Sequence, residues 1–156
     1  MPNTVHAALA RVASLAELAR KGRMTIRLGA RQIALFHRDG RVFACNNRCP
    51  HQGFPLVEGS LAEAGGSGGC VLTCNWHNWK FDLDSGETLV GGDLLRRYPV
   101  RVAGDDVLLD PTDPPAAERA AAALAGLRRA CERHEIDRMA REVARLAQVG
   151  ADPLEA

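Results

Sequence analysis

Two short stretches of this chain each place a thiol and an imidazole within a few residues: Cys49-Pro50-His51-Gln52-Gly53 and Cys74-Asn75-Trp76-His77. Together Cys49, His51, Cys74 and His77 offer two sulfur and two nitrogen donors. Two chemistries use such a set. A zinc ion takes all four in one tetrahedron. A [2Fe–2S] cluster takes them in pairs, with the thiolates Cys49 and Cys74 on one iron and the imidazoles His51 and His77 on the other. The pairing has an electronic consequence. Two ferric ions, two sulfides and two thiolates sum to zero charge, whereas four thiolates would leave a dianion. The mixed set therefore accepts an electron more easily.

The elements that must hold these boxes read as short strands joined by tight turns. Ser14-Leu15-Ala16-Glu17 is a capping box opening a short helix that Gly22 ends. Met24, Ile26 and Leu28 alternate with Thr25 and Arg27 as a half-buried strand. A second strand runs from Gln32 to Phe36, and Asp39-Gly40 turns into Val42-Phe43-Ala44, after which the first box follows. Val71-Leu72-Thr73 enters the second box and the strand Trp79 to Leu83 leaves it; Tyr98 to Val102 and Val107 to Leu109 form a last hairpin. The expected fold class is mainly β, a small antiparallel sandwich or barrel, followed by helices.

The stretch Cys-Pro-His-Gln-Gly-Phe-Pro-Leu from Cys49 and the stretch Cys-Asn-Trp-His-Asn-Trp-Lys-Phe-Asp-Leu from Cys74 resemble the Rieske ferredoxin and Rieske oxygenase family. The lead-in from Leu9 to Cys45 and the strand Tyr98-Pro99-Val100-Arg101-Val102 are similar to it as well. The resemblance implies the Rieske fold, a small antiparallel β subdomain for the cluster set on a larger antiparallel base. It also implies one [2Fe–2S] cluster held by Cys49, His51, Cys74 and His77. Gly53 is then a tight-turn residue, and Trp76, Trp79 and Phe81 an apolar cover. Respiratory members of the family carry an extra cysteine in each loop, joined as a disulfide. The matching positions here are Phe54 and Trp76, so that bridge cannot form. The proline-containing loop that covers the cluster in relatives is replaced by Gly91-Gly92-Asp93, and the gap between the boxes is lengthened by Ala64-Gly65-Gly66-Ser67-Gly68-Gly69. With few donors to the sulfides, the potential is expected near the lower end of the Rieske range, on the order of −150 mV.

Composition narrows the partners. The chain has 156 residues, 20 basic and 19 acidic, for a formal net charge of +1. This balance points to neither nucleic acid nor an anionic membrane. No apolar run nears the ~20 residues of a membrane span, and the first residues lack the basic and apolar regions of a secretory signal. The five cysteines are an odd set, and a cytoplasmic, thiol-preserving setting is expected. Cys45 and Cys70 read as small buried strand residues rather than a second redox pair.

After Pro111, Pro114 and Pro115 the composition turns to Ala, Leu, Arg and Glu. Leu124, Leu127 and Cys131 share one helical face; Ile136, Met139, Val143 and Leu146 share another in a register that shifts near His134. The expected division is residues 1–111 as the cluster domain and residues 112–156 as a helical extension, or as the start of a further domain. Asp152-Pro153-Leu154-Glu155 reads as the opening of another helix. Cys131, His134, Glu135 and Asp137 read as an ordinary polar face, and one histidine beyond Asp110 is too few for the mononuclear iron of an oxygenase. The function expected is one-electron transfer, as a ferredoxin-like carrier between a reductase and a terminal oxygenase or related oxidoreductase. Alternatives are the electron-entry module of a larger enzyme and a small subunit of a nitrite-reductase-like complex. Self-association through the helices is a further expectation.

Overall fold

The computed structural model describes residues 9–64, 68–152 and 154. Its contacts separate the chain into two units, Met1–Pro111 and Thr112–Ala156.

The first unit contains β1 (Ala10–Ser14), α1 (Leu15–Lys21), β2 (Arg23–Leu28), β3 (Arg31–Arg38), β4 (Arg41–Asn46), a 3-10 turn (Leu56–Glu58), β5 (Ser60–Ala64), β6 (Gly69–Thr73), β7 (Lys80–Asp82), β8 (Thr88–Val90), β9 (Val100–Ala103) and β10 (Asp106–Leu109). They form three antiparallel sheets, ordered β1-β10-β9, β2-β3-β4 and β5-β6-β7-β8. The helix start follows its sequence signal. Ser14 Oγ accepts the Glu17 N–H at 3.3 Å, and Gly22 closes the helix at φ +75°. A second cap comes from far along the chain, where Asp105 accepts the Ala16 N–H at 2.8 Å and the Ser14 hydroxyl at 2.6 Å. These contacts hold the Asp105 carboxyl below its ordinary range.

Strand β3 is buried on both faces, and its two-residue period divides its side chains between two cores. Ile33 and Leu35 join Leu18, Tyr98, Val107 and Leu109 in one. Ala34 and Phe36 join Phe43, Leu56, Leu72 and Phe81 in the other, which also takes in Cys45, Cys49, Cys70 and Cys74. The first core belongs to the base and the second underlies the two boxes, so β3 is their shared wall.

Three strands lie beyond those read in the sequence. Strand β1 pairs with β10 from the far end of the unit. Strand β5 has the weak strand-former sequence Ser-Leu-Ala-Glu-Ala and is drawn into a full register with β6, a case of tertiary pairing overriding propensity. Strand β8 pairs with β7 through an irregular register. Trp79 falls just outside β7, and its carbonyl accepts the Cys74 N–H at 2.8 Å. Of the glycine-rich insertion between β5 and β6, Gly65 to Ser67 lie outside the described residues.

The second unit contains α2 (Ala116–Glu132) and α3 (Ile136–Gln148). The helices part where the register shifts, at His134, whose φ is +58°. The contact between them is not the leucine face read on α2, and of the face read on α3 only Leu146 is buried in it. It is made by the small residues Ala123, Gly126 and Ala130 on α2 with Arg138, Glu142 and Leu146 on α3. A Cβ on Gly126 would sit 2.6 Å from Glu142 Oε1, so the side-chain-free position is what admits the carboxylate. Glu142 is wholly buried, with Arg145 at 3.0 Å and Arg138 at 3.8 Å. Ile136 is 77% exposed, and Val143 and Cys131 are also exposed. The helix start read at Asp152-Pro153-Leu154-Glu155 falls partly outside the described residues; within them the Leu154 N–H meets Asp152 Oδ1 at 2.8 Å. Among the described residues no helix is long and apolar enough to cross a membrane.

All five cysteines are free thiols, but their surroundings differ. Burial pushes Cys45 up to about 12 and raises Cys70 as well. At pH 8 a thiol of pKa 12 is ionised in about one molecule in ten thousand. Brief iodoacetamide treatment of the folded protein at pH 8 is therefore expected to label Cys131 and spare Cys45 and Cys70, which should react only after unfolding. Peptide mass mapping reads the outcome.

Candidate metal centre

The two boxes are built on the same turn. In the first, the Cys49 N–H donates to the Phe54 carbonyl at 2.9 Å and the Gly53 N–H to the Cys49 carbonyl at 2.8 Å. In the second, the Cys74 N–H donates to the Trp79 carbonyl at 2.8 Å and the Asn78 N–H to the Cys74 carbonyl at 3.0 Å. Each turn needs a left-handed residue four places after its cysteine. Gly53 supplies it at φ +77°, as its sequence context suggested, and Asn78 at φ +58°. Asparagine is among the few side chains that tolerate this conformation, so residue type was the only sequence signal for it.

Two further asparagines anchor the loops, and the sequence reading passed over both. Asn47, nearly buried, uses its side-chain carbonyl to accept the Val57 N–H at 2.8 Å and its backbone carbonyl to accept the Leu56 N–H at 3.0 Å. Asn75 donates through Nδ2 to the Glu58 carbonyl at 2.8 Å and accepts from the Ser60 hydroxyl at 2.9 Å. Both boxes are thus tied to the single segment that runs from the first box through the 3-10 turn into β5.

The turns bring the four donors together in two pairs. Cys49 and Cys74 are 3% and 1% exposed, inside the apolar core, with their side chains beside each other. His51 and His77 are exposed, with ring centroids 4.4 Å apart and planes at 90°. Among the described residues no three His, Cys, Asp or Glu side chains are grouped to share one metal ion. The donors divide as thiol with thiol inside and imidazole with imidazole outside, the division that suits a two-iron cluster with two thiolates on one iron and two imidazoles on the other. Burial pushes the Cys49 thiol up to about 11, and the neighbouring Cys74 adds to this. The backbone N–H groups of His51 and Gln52, directed at the Cys49 sulfur, act the other way. Without a cofactor Cys49 is therefore protonated at neutral pH, and ligation has to release its proton.

The apolar cover differs from expectation. Phe81 is fully buried and Trp79 half-buried, but Trp76 is 64% exposed. It stacks on Phe54 of the first loop, at 5.1 Å and 28°. Trp79 stacks on His51 at 4.7 Å and 19°. The replaced cover loop also has a definite place, with Gly91 against the Trp79 indole.

The left-handed turn at Asn78 yields a direct test. Asn78→Gly should preserve the loop, whereas Asn78→Val should be less stable than Asn78→Gly by about 1–2 kcal/mol, the strain of a side chain that does not suit that conformation. Equilibrium denaturation of the two variants measures the difference.

Comparisons with known proteins place the chain in a family. The family model of the Rieske [2Fe-2S] domain matches residues 8–93. The ferredoxin component of the alkene monooxygenase system of Xanthobacter autotrophicus is 35% identical over 88 residues, covering 56% of this chain and 67% of that protein. The 4beta-methylsterol monooxygenase of Methylococcus capsulatus is 35% identical over 106 residues, covering 60% of this chain and 27% of that protein. Among solved structures, the ferredoxin of carbazole 1,9a-dioxygenase from Nocardioides aromaticivorans superposes with a TM-score of 0.57 at 24% identity, over 67% of this chain and 98% of that one. That last likeness is one of fold. The chain belongs to the Rieske [2Fe-2S] domain family, and its function is one-electron transfer through that cluster.

Proposed function

We propose that Cys49 and Cys74 hold one iron of the cluster through their sulfurs, and His51 and His77 the other through their imidazoles. The observation carrying this is the division of the donors into a buried thiol pair and an exposed imidazole pair. When bound, the cluster supplies a centre that takes up and returns one electron with no bond made or broken. The residues around it do the rest. The core of Phe36, Leu56, Leu72 and Phe81 keeps water from the thiol side. The exposed imidazoles present the other side to a partner.

In this reading residues 1–111 form a carrier domain and residues 112–156 a helical extension. The electron arrives from a flavin- or NAD(P)H-linked reductase and leaves for a terminal oxygenase; the ferredoxin relatives are named as components of a monooxygenase and of a dioxygenase. Its docking surface is the imidazole end, with Trp76 as the apolar anchor. Trp76 is 64% exposed and its ring centroid lies 5.9 Å from that of His77. Transient redox partners use small contacts of this kind. A second reading is an electron-entry module, which the 27% coverage of the methylsterol monooxygenase and the exposed Ile136 and Val143 favour. In that reading the helical faces pack against further chain or a second copy.

Purified protein is expected to contain two irons and two acid-labile sulfides, with a rhombic EPR signal on reduction and a midpoint potential on the order of −150 mV. Alanine at Cys49, His51, Cys74 or His77 should abolish the signal, and Cys45→Ala should keep it. Zinc without labile sulfide would overturn the assignment. Replacing Trp76 by alanine should weaken association with the redox partner by about 1–2 kcal/mol, roughly 5- to 30-fold. The midpoint potential should stay where it is. Steady-state electron delivery against carrier concentration, alongside a redox titration, separates the two effects.

A further inference from the structure

The two boxes share a turn, and their aromatic rings cross between them. In each box the residue five places after the cysteine lies on a ring two places after the cysteine of the other box. Phe54 lies on Trp76, and Trp79 lies on His51. Trp76 and His51 therefore occupy equivalent places in the two loops, and only the second crossing touches an imidazole donor.

Trp79 is held from several directions. Its carbonyl closes the second turn by accepting the Cys74 N–H at 2.8 Å. Its ring packs at 6.4 Å from that of Phe81. On β8 the register pairs Lys80 with Val90, which carries Gly91 to the place opposite Trp79. There Gly91 has φ +130°, and a Cβ on it would fall 2.5 Å from Trp79 Cδ2 and 2.6 Å from Cε3. No ordinary side chain fits at that distance, so the bare glycine backbone lies against the indole.

We infer that Trp79, held in place by Gly91, is a positioning residue that sets the plane of the His51 imidazole and keeps water from one of its faces. The inference rests on the reading of His51 as a ligand. The segment Gly91-Gly92-Asp93, which stands where relatives carry a covering loop, then acts on the centre at second hand, through an aromatic ring.

The test compares Trp79→Leu, Trp79→Phe and Gly91→Ala with the unaltered protein by redox titration and by EPR of the reduced state, with circular dichroism to establish folding. Trp79→Phe keeps a ring and should retain the parent g-values and potential. Trp79→Leu removes the ring, and Gly91→Ala displaces it. Both should change the g-values and raise the potential, because water reaching the imidazole stabilises the extra negative charge of the reduced centre. Loss of the cluster from a still-folded Trp79→Leu protein would support the same role. If Trp79→Leu does not fold, Gly91→Ala carries the comparison. Folded, fully loaded variants with parent g-values and potential would overturn this inference alone. An unaltered protein that carries no cluster would overturn the site reading beneath it.

Discussion

Two backbone hydrogen bonds underlie the arrangement of this centre: Cys49 N–H to the Phe54 carbonyl and Cys74 N–H to the Trp79 carbonyl. Each spends a donor that would otherwise be buried without a partner. Each also forces a left-handed residue one step earlier, at Gly53 and Asn78. Closing the turns this way points the thiols down into the core and turns the histidine-bearing tips out to solvent. The contrast between a buried sulfur pair and an exposed nitrogen pair follows from the turn geometry rather than from the polarity of the side chains alone.

The aromatic residues then join the loops to each other. The positions that carry a disulfide in respiratory members of the family are held here by Phe54 and Trp76, whose rings stack at 5.1 Å. Such a contact contributes about 0.5–1.5 kcal/mol beyond its buried area, less than a covalent bridge. The second crossing, Trp79 on His51, and the asparagine ties from Asn47 and Asn75 add to it. The chain thus distributes over several weak contacts the task of keeping two loops in register. Because Trp76 projects while Trp79 lies inward, two similar residues separated by three positions serve different ends.

The helical unit obeys another constraint. Its helices meet through alanines and a glycine on α2, which allows a carboxylate and its arginines into the contact beside Leu146 and leaves Ile136 and Val143 exposed. Periodicity marks both helices and the break at His134, where the backbone turns left-handed. It does not say which face is turned inward. A leucine face and an alanine face have the same period, and the size of the residue opposite decides between them.

Much of the chain was readable residue by residue. The Ser14 cap, the Gly22 stop, the Asp39-Gly40 hairpin, the strands β2 to β4 and the change of composition after Pro111 are local features set by near neighbours. The four donors, their spacing and their family resemblance were visible for the same reason. The sequence by itself therefore determined the types and spacing of the four candidate donors, the two turns' cysteines and the mainly β fold. Only the tertiary structure decided that the thiols pair inside and the imidazoles outside, that β1, β5 and β8 become strands, that Trp76 is exposed, and that Gly91 backs onto Trp79. Each of these depends on residues far apart in the chain meeting across sheets and loops, and burial, stacking and close backbone approach act through space rather than along the sequence.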